Sequence, residues 1–421
     1  MKGTSIRLKN QEQGRIVVVG GYGFDNLGDD LILRAALKSI RKLSPETEVV
    51  VLSNNPFETA ERHRDEIVSY SPEALVRQMI FRVLSRISGS YRDSLLPIPG
   101  RTFRQISGSI GKTNLILSLG GGYLNDNSRS PYPQLRLAEL AFFGLCGRRL
   151  VMCAQELGPF SRTSSILLAK LAVKSLTYAT VRDSRSLKVL SNVGFPKERL
   201  AHTADESWSY DPVASLGLKV RRRKKSNGLT MAVNLMPLQT VPNVYLSDRH
   251  GEHEATELNA HLLFGIASCF ELAKFKRTRF LHFLSMSSRD TAMAVRLRSI
   301  LGDQLQIDIV SDLDSQYSAL ARSDIMIGMR MHSIIMAAQV GVPPMAIAVL
   351  PKVFDTMNDL GLSGYALSID RFTARKLQRL LLQALRNSQI IRKAMMERVK
   401  VLRQKANQNM RPVRLSIRAP A

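Results

Sequence analysis

The sequence predicts an α/β protein built from two doubly wound, parallel-sheet (Rossmann-like) domains. Three observations carry that prediction. Short apolar runs alternate with helical patterns from residue 15 onward, glycine clusters stand where the runs end, and the alternation restarts after a basic interruption near residue 221. Strand and helix in alternation imply parallel strands joined by crossover helices, and 421 residues exceed one ordinary core.

The first run, 15–19, ends in Gly20-Gly-Tyr-Gly-Phe-Asp-Asn26-Leu-Gly28-Asp29-Asp30, after which Leu31, Leu33, Ala35, Ala36 and Ile40 mark the buried face of a helix. A dinucleotide fingerprint would need a third glycine where Asn26 stands and an acid at the tip of the next strand, where Ser53 and Asn54 follow, so NAD is discounted. No Gly-Lys-Ser/Thr follows either, which excludes a Walker A loop. Residues 56–112 read as a helix at 73–87 plus a basic insertion loop. A third strand, 114–119, ends in Gly120, Gly121 and Gly122, which allow close backbone approach to a ligand or simply a tight turn. The fourth, 149–154, runs into Gln155-Glu156-Leu-Gly158-Pro159, and the fifth, 178–181, into Arg182-Asp183 and a helix over 184–192. Arg182 is either a ligand cation at a strand tip or the partner of Asp183 or Glu156. The segment 200–205 closes the first domain.

Arg221 to Lys225 is a charge run of the kind found in solvated linkers. Beyond it come strands at 229–235, 279–284, 306–310, 325–327 and 344–349, with helices near 254–274, 291–301 and 334–340. The predicted organisation is a flexible N-terminus (1–14), a first domain (15–210), a linker (211–228), a second domain (229–370), a basic helical segment (371–410) and a disordered tail (411–421). The basic segment would cover a domain or meet anionic lipid head groups.

Net charge is +25, which invites polyanionic partners, yet aromatic content is 6% and no aromatic-interleaved basic stripe is present, so nucleic acid is not an expected partner. No apolar run spans a bilayer and no signal peptide is visible, which places the chain in the cytoplasm, with the inner membrane face as a peripheral location. Cys146, Cys153 and Cys269 lack metal-ligand spacing and read as buried thiols. No metal or cofactor is expected.

The chemistry gathers at Gly328-Met-Arg330-Met-His332, where a strand turns into a helix. A helix N-terminus favours an anion, Arg330 can fork onto a carboxylate or phosphate, and His332 can carry a proton near neutrality. A capping arginine and a satisfied core histidine would look the same in sequence. In order, Gly20 to Asp29, Gly120-Gly-Gly122, Gly158-Pro159, Val181-Arg-Asp183, Ala204-Asp205, Gly328 to His332 and Pro351-Lys352-Val353 resemble the polysaccharide pyruvyl transferase family. Resemblance to that family implies a two-domain fold like the B-type glycosyltransferases. It also implies transfer of the enolpyruvyl unit of phosphoenolpyruvate to saccharide hydroxyls as a ketal, with the acceptor free or lipid-linked. On the family pattern Arg182, Arg330, His332 and Lys352 fall at donor-binding and catalytic positions. Gly121 and Gly122 are assigned to the donor side, and Asn26, Asp29 and Asp205 to the acceptor. Met331 replaces the family's usual Leu, and Val349-Leu350 replace an aromatic and an acidic residue. The alternatives are a nucleotide-sugar-dependent glycosyltransferase of the same architecture and a non-catalytic polyanion-binding module.

Overall fold

The computed structural model describes residues 15–64, 66–70, 115–127, 131–219, 229–241, 252–272, 280–302 and 305–418. The expected helix at 73–87, its insertion loop, the 221–225 charge run and residues 1–14 lie outside them. Among the described residues two sheets form, every strand pair parallel.

The first sheet holds β1 (Arg15–Val19), β2 (Glu48–Ser53), β3 (Ile67–Tyr70), β4 (Leu115–Leu119), β5 (Leu150–Gln155), β6 (Leu176–Val181) and β7 (Leu200–His202) in the order β3-β2-β1-β4-β5-β6-β7. Its helices are α1 (Leu27–Leu43), α2 (Pro56–Arg62), α3 (Tyr132–Leu145), α4 (Thr163–Lys174) and α5 (Ser184–Asn192). Alternate residues of the strands feed opposite faces. Val17, Val19, Val50 and Leu52 pack under α3 and α4, whereas Ile16, Val18, Val49 and Val51 pack under α1. A short helix, α6 (Pro212–Leu216), follows; Asp211 caps it and Gly217, in the left-handed region at φ 58, ends it.

The second sheet holds β8 (Met231–Asn234), β9 (Phe280–Leu284), β10 (Gln306–Val310), β11 (Ile325–Gly328), β12 (Pro344–Ala348) and β13 (Ala366–Ser368) in the order β10-β9-β8-β11-β12-β13. Around it lie α7 (Glu252–Phe270), α8 (Thr291–Leu301), α9 (Leu313–Ala321), α10 (Met331–Gln339) and α11 (Pro351–Asp359). Strand order reverses between β1 and β4 in one sheet and between β8 and β11 in the other, and ligand crevices open at such switch points beyond the strand C-termini. The two-domain, doubly wound expectation therefore holds.

Several local expectations do not. β3 and β13 were not anticipated, because edge strands of four and three residues leave too short a period to read. The pattern over 373–408 is two helices, α12 (Ala374–Arg386) and α13 (Ser388–Asn407), broken at Asn387. The tail expected to be disordered forms α14 (Arg411–Arg418), since Met410 and Val413 bury themselves against the α1 face of the first sheet. Cys146 is exposed at the end of α3, unlike buried Cys153 and Cys269. Most apolar positions of α13, among them Ile391, Met395, Val399 and Leu402, are buried in the second domain's core, and its outer face presents cations with only Ile390 and Val401 exposed among them. No described helix is long and apolar enough to cross a membrane.

The return of the chain to the first domain rests on Asn409, which is fully buried. Its Oδ1 accepts from Thr180 Oγ1 (2.8 Å) and Thr203 Oγ1 (2.5 Å), while its Nδ2 donates to the Ala204 carbonyl (3.0 Å) and Glu206 Oε2 (2.8 Å). Burial pushes the Glu206 carboxyl up to about 8, which makes its remaining hydrogen bonds more consequential. Asn409→Ala should orphan these buried groups and cost about 3 kcal/mol, read as a lower urea midpoint at unchanged slope.

Candidate active site between the two domains

Each functional side chain stands on a loop or helix start at the C-terminal end of a strand. In the first domain Asn26 caps α1: its Oδ1 accepts from Gly28 N (3.1 Å) and its Nδ2 donates to Asp29 Oδ2 (2.8 Å). The absent third glycine is thus an N-cap that also orients a carboxylate into the interdomain space. In the second, the turn from β11 to α10 is held by Asn234 at the tip of β8. Its Oδ1 accepts from Arg330 N (3.0 Å) and Ser333 Oγ (3.2 Å).

The two helix starts touch. A Cβ at Gly28 would collide with His332 Nδ1, so only glycine lets the first turn of α1 abut the first turn of α10. Beside them the β1–α1 loop docks on the second domain: Leu27 N donates to Met286 O (2.9 Å), and Asp25 accepts from Ser288 N (2.6 Å) and Ser287 Oγ (3.1 Å). Asp25 adopts φ 52 to do so. That conformation costs a non-glycine residue about 1–2 kcal/mol, offset by the two hydrogen bonds.

Between the domains lies a cleft of about 260 Å³. Asn26, Asp29, Gly122 and Arg182 line it from one side, and Arg330, His332 and Lys352 from the other. Gly122 lets two side-chain ends come close: an added Cβ would sit 2.9 Å from Lys352 Nζ and 3.0 Å from Glu156 Oε2. Gly121 does not line the cleft; its carbonyl accepts from Gln155 Nε2 (2.9 Å) and a Cβ there would strike the Tyr123 ring. Asp205 sits behind His332, buried, rather than on the open wall.

Two of the cations are already engaged. Arg182 is held between Glu156 and Asp205, with Nη1 donating to Asp205 Oδ2 at 2.5 Å. Arg330 places its fork on Asp290, Nε to Oδ2 at 2.8 Å and Nη2 to Oδ1 at 2.7 Å. The fork read from the sequence as a substrate clamp is therefore occupied by a buried carboxylate. Among the described residues Arg330 Nη1 has no hydrogen-bond partner. Sequence reasoning missed Asp290 and Asn234; Asn234 carries a legible sign, a polar residue closing an apolar strand, and Asp290 carries none.

The carboxylates divide sharply. Burial would raise Asp205, but Arg182, then His332 and Ser207, hold it far below the ordinary carboxylate range. Burial likewise opposes ionisation of Glu156, yet Arg182 and Lys352 keep it below its usual value. Asp29 goes the other way: burial lifts it to about 6, against the pull of His332 and Lys352. His332 Nε2 is buried, lacks a hydrogen-bond partner and lies 3.7 Å from Asp205 Oδ1. Among the described residues no cluster of three His, Cys, Asp or Glu is arranged to hold a metal ion.

Two facing parallel-sheet domains with an ionisable cleft at both switch points define the two-domain architecture shared by B-type glycosyltransferases and sugar-nucleotide epimerases. A putative UDP-N-acetylglucosamine 2-epimerase from Listeria monocytogenes superposes with TM-score 0.59 at 12% identity, covering 97% of each chain. Anabaena Alr3699/HepE in complex with UDP-glucose does so with TM-score 0.56 at 14% identity, covering 96% of this chain and 99% of that one. Within that architecture, residues 26–351 match the model of the polysaccharide pyruvyl transferase family, and the chain belongs to it. The amylovoran biosynthesis protein AmsJ of Erwinia amylovora is 19% identical over 387 residues, 83% of this chain and 86% of AmsJ.

The raised Asp29 makes a stability prediction with a definite sign. Its folded value is about 6 against an ordinary 3.8, so the folded state holds the extra proton between those values. Stability from this group is full below about pH 4 and declines as pH rises through about 6, by about 3 kcal/mol in all. Asp29→Asn should therefore melt higher than the parent at pH 7.5, with the gap closing toward pH 4. Equal melting temperatures at both pH values would show that Asp29 is not desolvated.

Proposed function

We propose that the cleft transfers the pyruvyl unit of phosphoenolpyruvate to two hydroxyls of a saccharide, closing a pyruvate ketal, in the biosynthesis of an exopolysaccharide, capsule or cell-wall polysaccharide. The observation that carries this reading is the convergence of Lys352, Arg330, His332 and Asp29 on one cleft between the starts of α1, α10 and α11; Asp29, Arg330 and His332 lie inside the stretch that matches the family, and Lys352 directly follows its end. AmsJ, a protein of amylovoran biosynthesis, supports the polysaccharide setting.

Phosphoenolpyruvate presents a carboxylate and a phosphate. Lys352 and the open edge of Arg330 take those charges together with the N–H groups at the helix starts. The methylene carbon accepts a proton, and the adjacent carbon becomes electrophilic. One sugar hydroxyl adds there and gives up its proton, phosphate departs, and a second hydroxyl closes the ketal as it loses its own. The two hydroxyl protons balance the one gained by the methyl group and the one carried off by phosphate. His332 moves the proton in this reading, with Asp205 behind it as a positioning carboxylate. Of the cleft carboxylates, Asp29 alone is placed to exchange a proton near neutrality, since Asp205 and Glu156 are held ionised. Asn26 and Asp29 face the acceptor. Arg182 contributes the donor-side cation of the first domain. No cofactor enters the scheme.

His332→Gln should stay folded and lose about 10²–10⁴-fold in turnover, measured as phosphate release from phosphoenolpyruvate with saccharide acceptors. Turnover at the parent rate would remove His332 from the chemistry. Arg182→Lys keeps one charge but cannot bridge Glu156 and Asp205 at once, so calorimetric affinity for phosphoenolpyruvate should weaken. Parent affinity in that variant would leave Arg182 a structural group. Calorimetry also separates the donors: the parent should bind phosphoenolpyruvate and not UDP-glucose, and the reverse would make this a nucleotide-sugar-dependent glycosyltransferase.

A further inference from the structure

The two helices on the outer face of the first sheet leave a stripe of large apolar side chains in solvent. α3 and α4 run side by side, with a Gln134–Ser165 hydrogen bond (2.8 Å) near their starts and Gly144 closed against Ser175 at their ends. Along their outer surface Phe142 is 51% exposed, Leu145 85%, Leu167 59% and Leu171 46%. Single exposed apolar residues are ordinary, but four on one packed helix pair form a patch. Lys170 and Lys174, both exposed, flank Leu167 and Leu171 on the same helix. Neither helix sets an exposed acid against them: α4 contains none, and Glu139 of α3 is buried against Arg136 at 2.5 Å.

We infer that this stripe seats the protein on an anionic lipid surface. Leucine and phenylalanine side chains enter the acyl boundary while lysine ammonium groups reach the head groups, the pattern of an interfacial helix. A second copy of the chain fits less well, because joining two such stripes would bring four lysines together with no exposed acid on α3 or α4 to pair with them, on a chain of net charge +25. The basic segment also fits less well. Its main apolar face is buried, leaving Ile390 and Val401 exposed eleven residues apart on one helix and Leu415 beyond them rather than a cluster on two adjoining helices, and Met410 and Val413 enter the first domain on the face opposite α3 and α4, so a flat bilayer meets one surface or the other. The inference stands apart from the proposed reaction and does not need it.

The test is co-sedimentation of the full chain with phosphatidylcholine vesicles, with and without phosphatidylglycerol, at low and high salt. The parent should bind the phosphatidylglycerol vesicles. L167Q/L171Q should lower partitioning by about tenfold or more at either salt, and K170E/K174E by about tenfold at low salt. The charge reversal R386E/K393E/K405E on the basic segment should leave most binding intact. All substituted positions are exposed, and thermal melts confirm that the variants fold. The inference is overturned if the parent does not sediment, if L167Q/L171Q partitions like the parent, or if only the basic-segment variant loses binding. It is also overturned if L167Q/L171Q turns a dimer into a monomer by light scattering while vesicle binding is unchanged.

Discussion

Everything at the cleft depends on the close approach of two helix N-termini, α1 from one domain and α10 from the other, with Gly28 against the His332 ring. Each start carries unsatisfied N–H groups and the positive end of a helix dipole, so bringing them together concentrates positive potential in one place. The approach is secured by burial. Leu27, Leu31 and Ala35 of α1 pack into the second domain, while Ile32, Leu33 and Ala36 of the same helix pack on the first sheet. A helix buried on both sides belongs to neither domain alone, and it holds the histidine side of the cleft against the Asp29 side.

That concentration of charge is managed by pairing from behind. Asp290 takes the fork of Arg330, and Glu156 with Asp205 brackets Arg182, so two guanidinium groups are fixed in orientation before any ligand arrives. Ion pairs of this burial contribute little net stability, because desolvation offsets much of the attraction. Their consequence is geometric: they leave Lys352 and one edge of Arg330 toward the cleft. They also hold two carboxylates, Asp205 and Glu156, below the usual range beside a third, Asp29, that burial lifts to about 6. Carboxylates pushed apart in acidity by their surroundings are what the proposed proton transfer would draw on.

The site was partly legible before folding. Gly122, Arg182, Arg330 and His332 were marked by their position at strand ends, and Asn26, Asp29 and Lys352 by the family resemblance; all seven line the cleft. Gly121 and Asp205, the other two candidates, do not line the cleft: Gly121 accepts from Gln155 through its carbonyl, and Asp205 is engaged by Arg182 and Ser207 with His332 beside it. Strand-end position identifies the loop, while the direction a side chain takes within that loop depends on neighbours from other elements.

By itself the sequence determined the parallel-sheet architecture of both domains, because the periods of strand and helix and the glycine stops between them are local features that need no distant partner. It also determined which residue types stand at the strand tips. Tertiary structure alone decided what those residues do to one another. Arg330 meets Asp290 across 40 positions, Arg182 meets Asp205 across 23, and Asn409 meets Glu206 across 203. Nothing in the local pattern around any of the six names its partner. The acidity of Asp29, the occupied fork of Arg330 and the ordered end of the chain all follow from contacts that exist only once the sheets have closed and water has left the space between them.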